Sequence, residues 1–186
     1  MNWKDIDKRQ LITILACFIG TFILSIIRVQ PEGVSYNGTS VIAYASLGTV
    51  GIFVSILMLG LSWGVIAPVA GLILGDIVMG SAQFAIGNVL FGTVMALFLS
   101  AFAVKCSSWK RCFTVAGLAQ AIMFVGFVVY DILMFMVREF RIVGIAMLLQ
   151  LVQGLICGVI GAVVLKYLKP MHPEKMLTVR RSRDEE

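Results

Sequence analysis

Polar side chains stand inside stretches that are otherwise apolar: Asp76, Asn88, Tyr130, Asp131, Gln150 and Gln153. A carboxylate at the centre of a bilayer costs about 2.5–3.5 kcal/mol on insertion scales, so one retained there needs a cavity, a partner or a ligand. The residue types suit binding. Tyr36, Phe84, Phe127 and Tyr130 can sandwich a flat ring, and Asn88, Gln150 and Gln153 can bond its edge. Asp131 can pair with a pyridinium or aminopyrimidine nitrogen through a charge-assisted hydrogen bond, which a dry site strengthens. Asp76 calls for a different role. It falls near the end of an apolar segment, where a carboxylate meets the negative end of the helix macrodipole. It therefore needs a cation, which Arg28, Arg138 or Arg141 can supply.

Chemistry other than binding finds no residues to perform it. The chain has no Gly-x-x-x-x-Gly-Lys-Ser/Thr phosphate loop, no Gly-x-Ser-x-Gly elbow and no His-Glu-x-x-His pair, so neither ATP hydrolysis nor another enzyme activity is expected of it. His172 is the single histidine, and Cys17, Cys106, Cys112 and Cys157 have no metal-ligand spacing, so no metal or cofactor is expected. Cys17 and Cys157 read as small packing residues.

The elements that must hold these groups are membrane helices. Of 186 residues 60% are hydrophobic and 13% charged, with a mean hydropathy of +0.99. A soluble domain is about 25% charged. The net charge of +5 does not indicate a nucleic-acid binder, because the bases lie between and beyond the apolar runs. The expected fold is an all-α integral membrane protein with six transmembrane helices, at about 11–27, 41–59, 65–79, 84–104, 113–137 and 142–168, and a basic tail over 169–186. A loop over Arg28–Ser40 carries Asn37-Gly38, a hairpin signal. Gly60 to Gly64 reads as a tight connection, which leaves Pro68 in the first turn of helix three.

Six crossings put both termini on one side. That side holds twelve Lys and Arg and the other only Arg28, Arg138 and Arg141. The excess predicts cytoplasmic termini, and Trp3, Trp63 and Trp109 fall at the same interface. At about 1.5 Å per residue, Asp76, Gln83, Asn88, Tyr130, Asp131, Gln150 and Gln153 all fall in the outer half, so helices three to six converge on one polar site open to the outside. Asn88 is expected to touch cargo and Asp76 to form the ion pair beneath the loop. Gln120, in the inner half, is expected to be structural. Ala16-x-x-x-Gly20, Gly71-x-x-x-Gly75 and Gly154-x-x-x-Gly158 permit close helix approach.

With these features the chain resembles the substrate-binding S component of an energy-coupling factor (ECF) vitamin transporter, of the riboflavin, pyridoxine or hydroxymethylpyrimidine type. The similar residues are Ala67-Pro68-Val69-Ala70-Gly71, Gly75-Asp76, Phe84-Ala85-Ile86-Gly87-Asn88 with Phe91-Gly92, and Leu151-Val152-Gln153-Gly154 through Lys166. The resemblance implies capture of a vitamin at the outer face under a lid, then delivery through a membrane T component and two cytoplasmic ATP-binding subunits. It also implies that Ala16 and Gly20 contact the T component. The residue types favour pyridoxine or hydroxymethylpyrimidine over riboflavin or folate. Two other classes suit the composition. One is a stand-alone secondary carrier or channel with Asp76 or Asp131 as its proton site. The other is a non-transporting scaffold whose polar residues only join helices.

Overall fold

The computed structural model describes residues 8–30, 43–135, 140–172 and 176, the side chains of 134–142 excepted. The elements are α1 (Lys8–Ile26), β1 (Arg28–Val29), β2 (Ala45–Ser46), α2 (Gly48–Val78), α3 (Ala85–Phe102), α4 (Trp109–Phe135) and α5 (Phe140–Tyr167). Among the described residues five helical segments are long and apolar enough to cross a membrane. The chain is an all-α, multi-pass membrane protein. Its outward surfaces are aliphatic, as lipid contact requires: Leu11, Ile12, Leu15, Ile19 and Ile23 on α1 and Leu148, Leu155 and Val159 on α5 are all exposed.

Helix α2 folds back on itself. Gly60 has φ 72° and ψ −162°, a conformation essentially restricted to glycine, while the residues on both sides are helical. Gly48 stands against Leu72 and Gly64 against Ile56. A continuous helix would hold those pairs roughly 36 and 12 Å apart. The two arms, 48–59 and 61–78, are therefore antiparallel neighbours. The sequence places a five-residue connection here, but one glycine suffices. The second arm is helical from residue 61, so Pro68 lies two turns in instead of in the first turn. The break frees the last carbonyls of the first arm, and Leu57 O accepts from Met171 N–H at 2.9 Å.

Helix α1 lies along both arms. Its buried residues, Ile14, Cys17, Thr21 and Ser25, recur every three or four positions and so form one stripe. The Thr21 and Ser25 hydroxyls donate to the carbonyls of Cys17 and Phe22, both at 2.7 Å, within α1 itself. Glycines meet this stripe from each arm: Gly48 and Gly51 from one, Gly71 and Gly75 from the other. A Cβ at Gly71 would lie 2.7 Å from the Phe18 carbonyl oxygen, so the backbones themselves are in contact. The larger core joins Ile52, Phe53 and Ile56 of the first arm to Met95 and Leu99 of α3 and Met123 and Phe127 of α4.

Other boundaries move by one or two turns. Helix two was expected from residue 41, but Ala45–Ser46 is extended and pairs antiparallel with Arg28–Val29, and the helix opens at Gly48. Ser46 Oγ accepts from Gly48 N–H at 3.4 Å, a local side-chain bond of the kind that marks helix starts. Helix α4 begins at Trp109 because Ser108 caps it, its Oγ accepting from Arg111 N–H at 3.3 Å. The Asn37-Gly38 turn and the charged turn around Arg138 lie outside the described residues.

Candidate functional site

Arg28, just beyond α1, reaches the C-terminal end of α2. Its guanidinium lies 3.7 Å from Asp76 Oδ1, and both side chains are only 1% exposed. One nitrogen donates to Ser81 Oγ at 2.7 Å and another to the Gly75 carbonyl at 2.8 Å. A cation is favoured at this end of a helix, where unpaired carbonyls carry negative charge. The guanidinium also stands 4.6 Å from the centre of the Tyr44 ring, within cation–π range. Asp76 is thus compensated from two directions.

Asn88, in the first turn of α3, completes the cluster. Its Nδ2 donates to Asp76 Oδ2 at 2.6 Å and to the Tyr44 hydroxyl at 3.1 Å. Tyr44 is hydrogen-bonded to Asp76 in turn. Burial holds the Tyr44 phenol well above its ordinary pKa, and the neighbouring Asp76 adds to that, so it is a neutral donor at any physiological pH. Both Nδ2 hydrogens of Asn88 are spent on protein partners. Where the sequence suggests a cargo contact, the structure places the amide in the polar joint between α2 and α3.

An aromatic wall adjoins this joint. The Tyr44 and Phe84 rings meet edge to face at 5.4 Å, Phe84 and Phe127 are 6.3 Å apart, and Phe127 and Tyr130 are also 6.3 Å apart. Phe91 stands 5.7 Å from Phe127. The Tyr130 hydroxyl donates to the Gln83 carbonyl at 2.6 Å. The three expected aromatics that are described, Phe84, Phe127 and Tyr130, are therefore one cluster. Tyr36 lies outside the described residues, as do Arg138 and the Arg141 side chain. Sequence reasoning passed over Tyr44, which sits at the centre of both the polar joint and the wall. Its signal was an aromatic hydroxyl beside a loop, lost because the segment was read as helix.

From α5, Gln153 Oε1 accepts from Ser46 N–H at 2.7 Å and Gln150 Nε2 reaches the Tyr44 carbonyl at 3.5 Å. These bonds tie α5 to the extended segment that carries Tyr44. Gln120 donates to Thr49 Oγ1 at 3.2 Å, and the glycines Gly154 and Gly158 make room for its chain. Beside Gln153 lies a cavity of about 260 Å³ lined by Ile27, Arg28, Ser46, Leu149 and Val152.

No family model, curated protein or solved structure matches the chain.

Asp131 differs from Asp76, Asn88, Gln150 and Gln153. It is 5% exposed, and neither carboxylate oxygen has a hydrogen-bond partner among the described residues. Buried carboxylates are normally paired or multiply hydrogen-bonded, because the unpaired group is expensive. Asp131 stands four residues after Phe127 on α4, one turn on and on the same face of the helix, so an acceptor with unused capacity lies on the side of the aromatic wall. On α1, Ala16 is exposed and no atom stands within 4 Å of where a Gly20 Cβ would be. These two residues line a groove of about 140 Å³ shared with Gly51, Ser55 and Met58.

Proposed function

We propose that this chain is the substrate-binding subunit of an ECF-type importer in the cell membrane, taking a small heteroaromatic vitamin or precursor, pyridoxine or hydroxymethylpyrimidine, from the outer face. The observation that carries the reading is Asp131: a buried carboxylate with both oxygens unpartnered among the described residues, next to an aromatic wall. Asp76, Asn88, Gln150 and Gln153 are all engaged with protein groups. In this reading they hold the wall in place while Asp131 pairs with a basic ring nitrogen, and the rings of Phe84, Phe127 and Tyr130 stack on the ligand.

In this reading the two arms of α2, with the extended segment before the shorter one, are separate crossings, which makes six, and the twelve-to-three excess of bases supports cytoplasmic termini. The groove at Ala16 and Gly20 then faces the T component, which, with two ATP-binding subunits, drives release. The purified chain is expected to gain thermal stability with pyridoxine or hydroxymethylpyrimidine. A ligand at 100 times its dissociation constant stabilises by about 2.7 kcal/mol. Asp131→Asn should abolish that gain without lowering the melting temperature of the free protein, since it breaks no hydrogen bond to the described residues. No response to either compound, with D131N leaving another vitamin's binding unchanged, would overturn the assignment. Uptake into proteoliposomes by the isolated chain would instead favour a stand-alone carrier with Asp131 as its proton site.

A further inference from the structure

At the opposite end of the bundle, the chain after α3 and the end of α5 enclose a second cleft, of about 510 Å³. Ser107, Lys166 and Lys169 line its polar side, and Val104, Leu165 and Leu168 its apolar side. Lys166 Nζ donates to the Ser107 carbonyl at 2.7 Å, which fixes the cleft's two walls against each other. The Trp109 and Tyr167 rings meet edge to face at 5.8 Å beside it. Burial, reinforced by the neighbouring Cys112, pushes the Cys106 thiol up to about 11, so this thiol adds no negative charge.

Among the described residues of these two stretches the charge is one-sided. Lys105, Lys110, Arg111, Lys166 and Lys169 all fall on the two stretches concerned. No aspartate or glutamate occurs between Ile77 and Tyr130 or between Phe140 and His172. The cleft lies where membrane-spanning helices end, which is headgroup depth. Apolar surface adjoins it: Val104, which lines it, is 40% exposed, and Tyr167 and Met171, each next in sequence to a lining residue, are 73% and 60% exposed. A free anion would use the lysines alone. A phospholipid would use both parts, its phosphate against Lys166 and Lys169 and its acyl chains along that apolar surface. Basic pockets between membrane helices hold anionic headgroups on this principle.

We infer that the cleft between Ser107 and Lys169 is a binding site for the phosphate headgroup of an anionic phospholipid. The site is independent of cargo capture at the other end, so either assignment can fail without the other. The test uses the full chain in a neutral detergent, titrated with phosphatidylglycerol, with phosphatidylcholine of the same acyl chains, or with millimolar inorganic phosphate. Retained lipid is read by native mass spectrometry, and stability by thermal melting. Phosphatidylglycerol should be retained at least about tenfold better than phosphatidylcholine. Each lysine contributes about a fivefold factor, so K169Q should weaken retention by that much, K166Q/K169Q by about twenty-fivefold, and K169R hardly at all. Lys169 is exposed, so its single variant keeps the test valid if loss of the Lys166 bond disturbs folding. Equal retention of the two lipids, or an unchanged preference in K169Q, overturns the site. Stabilisation by inorganic phosphate equal to that by phosphatidylglycerol overturns the lipid as its occupant.

Discussion

Replacing Arg28 by methionine tests whether the ion pair holds its end of the bundle together. Methionine keeps much of the stem's volume but leaves Asp76 buried without its cation, with Asn88, Tyr44 and Ser81 as its remaining partners. It also removes the donors to Gly75 O and Ser81 Oγ. Breaking a buried pair from one side costs about 3–5 kcal/mol, because the other charge stays uncompensated. For a chain of this length each kcal/mol lowers the melting temperature by about 2–4 °C. R28M is therefore expected to melt at least about 6 °C lower in detergent. D76N should also destabilise, since it leaves the guanidinium buried with only neutral acceptors. The double variant R28M/D76N removes both charges and should lose less than the two single losses combined, with a coupling of about 2 kcal/mol or more. Intrinsic tryptophan fluorescence during a thermal ramp on the four proteins measures all of this. A loss below about 1 kcal/mol in R28M, or strictly additive losses, would refute the view that this pair anchors α1 to the α2–α3 joint.

Three further expectations concern the backbone and the carboxylate. G60A should cost about 1–3 kcal/mol, because a side chain at that φ and ψ is strained whatever space surrounds it. The same thermal ramp reads it. G71A should cost about 1–3 kcal/mol by forcing α1 away from the second arm, while G20A, with nothing within 4 Å, should melt like the parent. Equal behaviour of the two would mean that α1 does not lie where its glycine contacts place it. D131N should melt no lower than the parent at pH 7 or 8. A loss comparable to that of D76N would reveal a partner for Asp131 and remove the basis for treating it as a ligand group.

Much of the fold was legible because lipid makes hydropathy decisive. Each apolar run longer than about 17 residues became a helix, and each boundary error has a local cause that hydropathy does not register. Ser108 capping adds a turn to α4, and Gly60 reverses α2 with one residue where five were expected. The β1–β2 pairing was invisible, since two residues per strand leave no periodicity to detect. That pairing displaces the start of α2 to Gly48 and frees Tyr44 from a helix, which is why Tyr44 escaped notice.

The site was legible as a set but not as a division of labour. Depth alone brings Asp76, Asn88, Tyr130, Asp131, Gln150 and Gln153 to one end, and the cost of buried charge marks Asp76 and Asp131. Which carboxylate has a partner depends on a third dimension. Arg28 stands 48 positions before Asp76, and only the lie of α1 across the glycines of α2 brings the two together. Once that pair forms, Asn88 is drawn to Asp76 and Tyr44, and Gln150 and Gln153 to the chain around Tyr44. Each of these groups is then satisfied by protein. The capacity to recognise something else narrows from six polar residues to Asp131 and the rings beside it. A scaffold whose polar residues serve only to join helices would not need a buried carboxylate that has no partner among the described residues. For that reason Asp131, and not the more numerous amides, carries the functional argument.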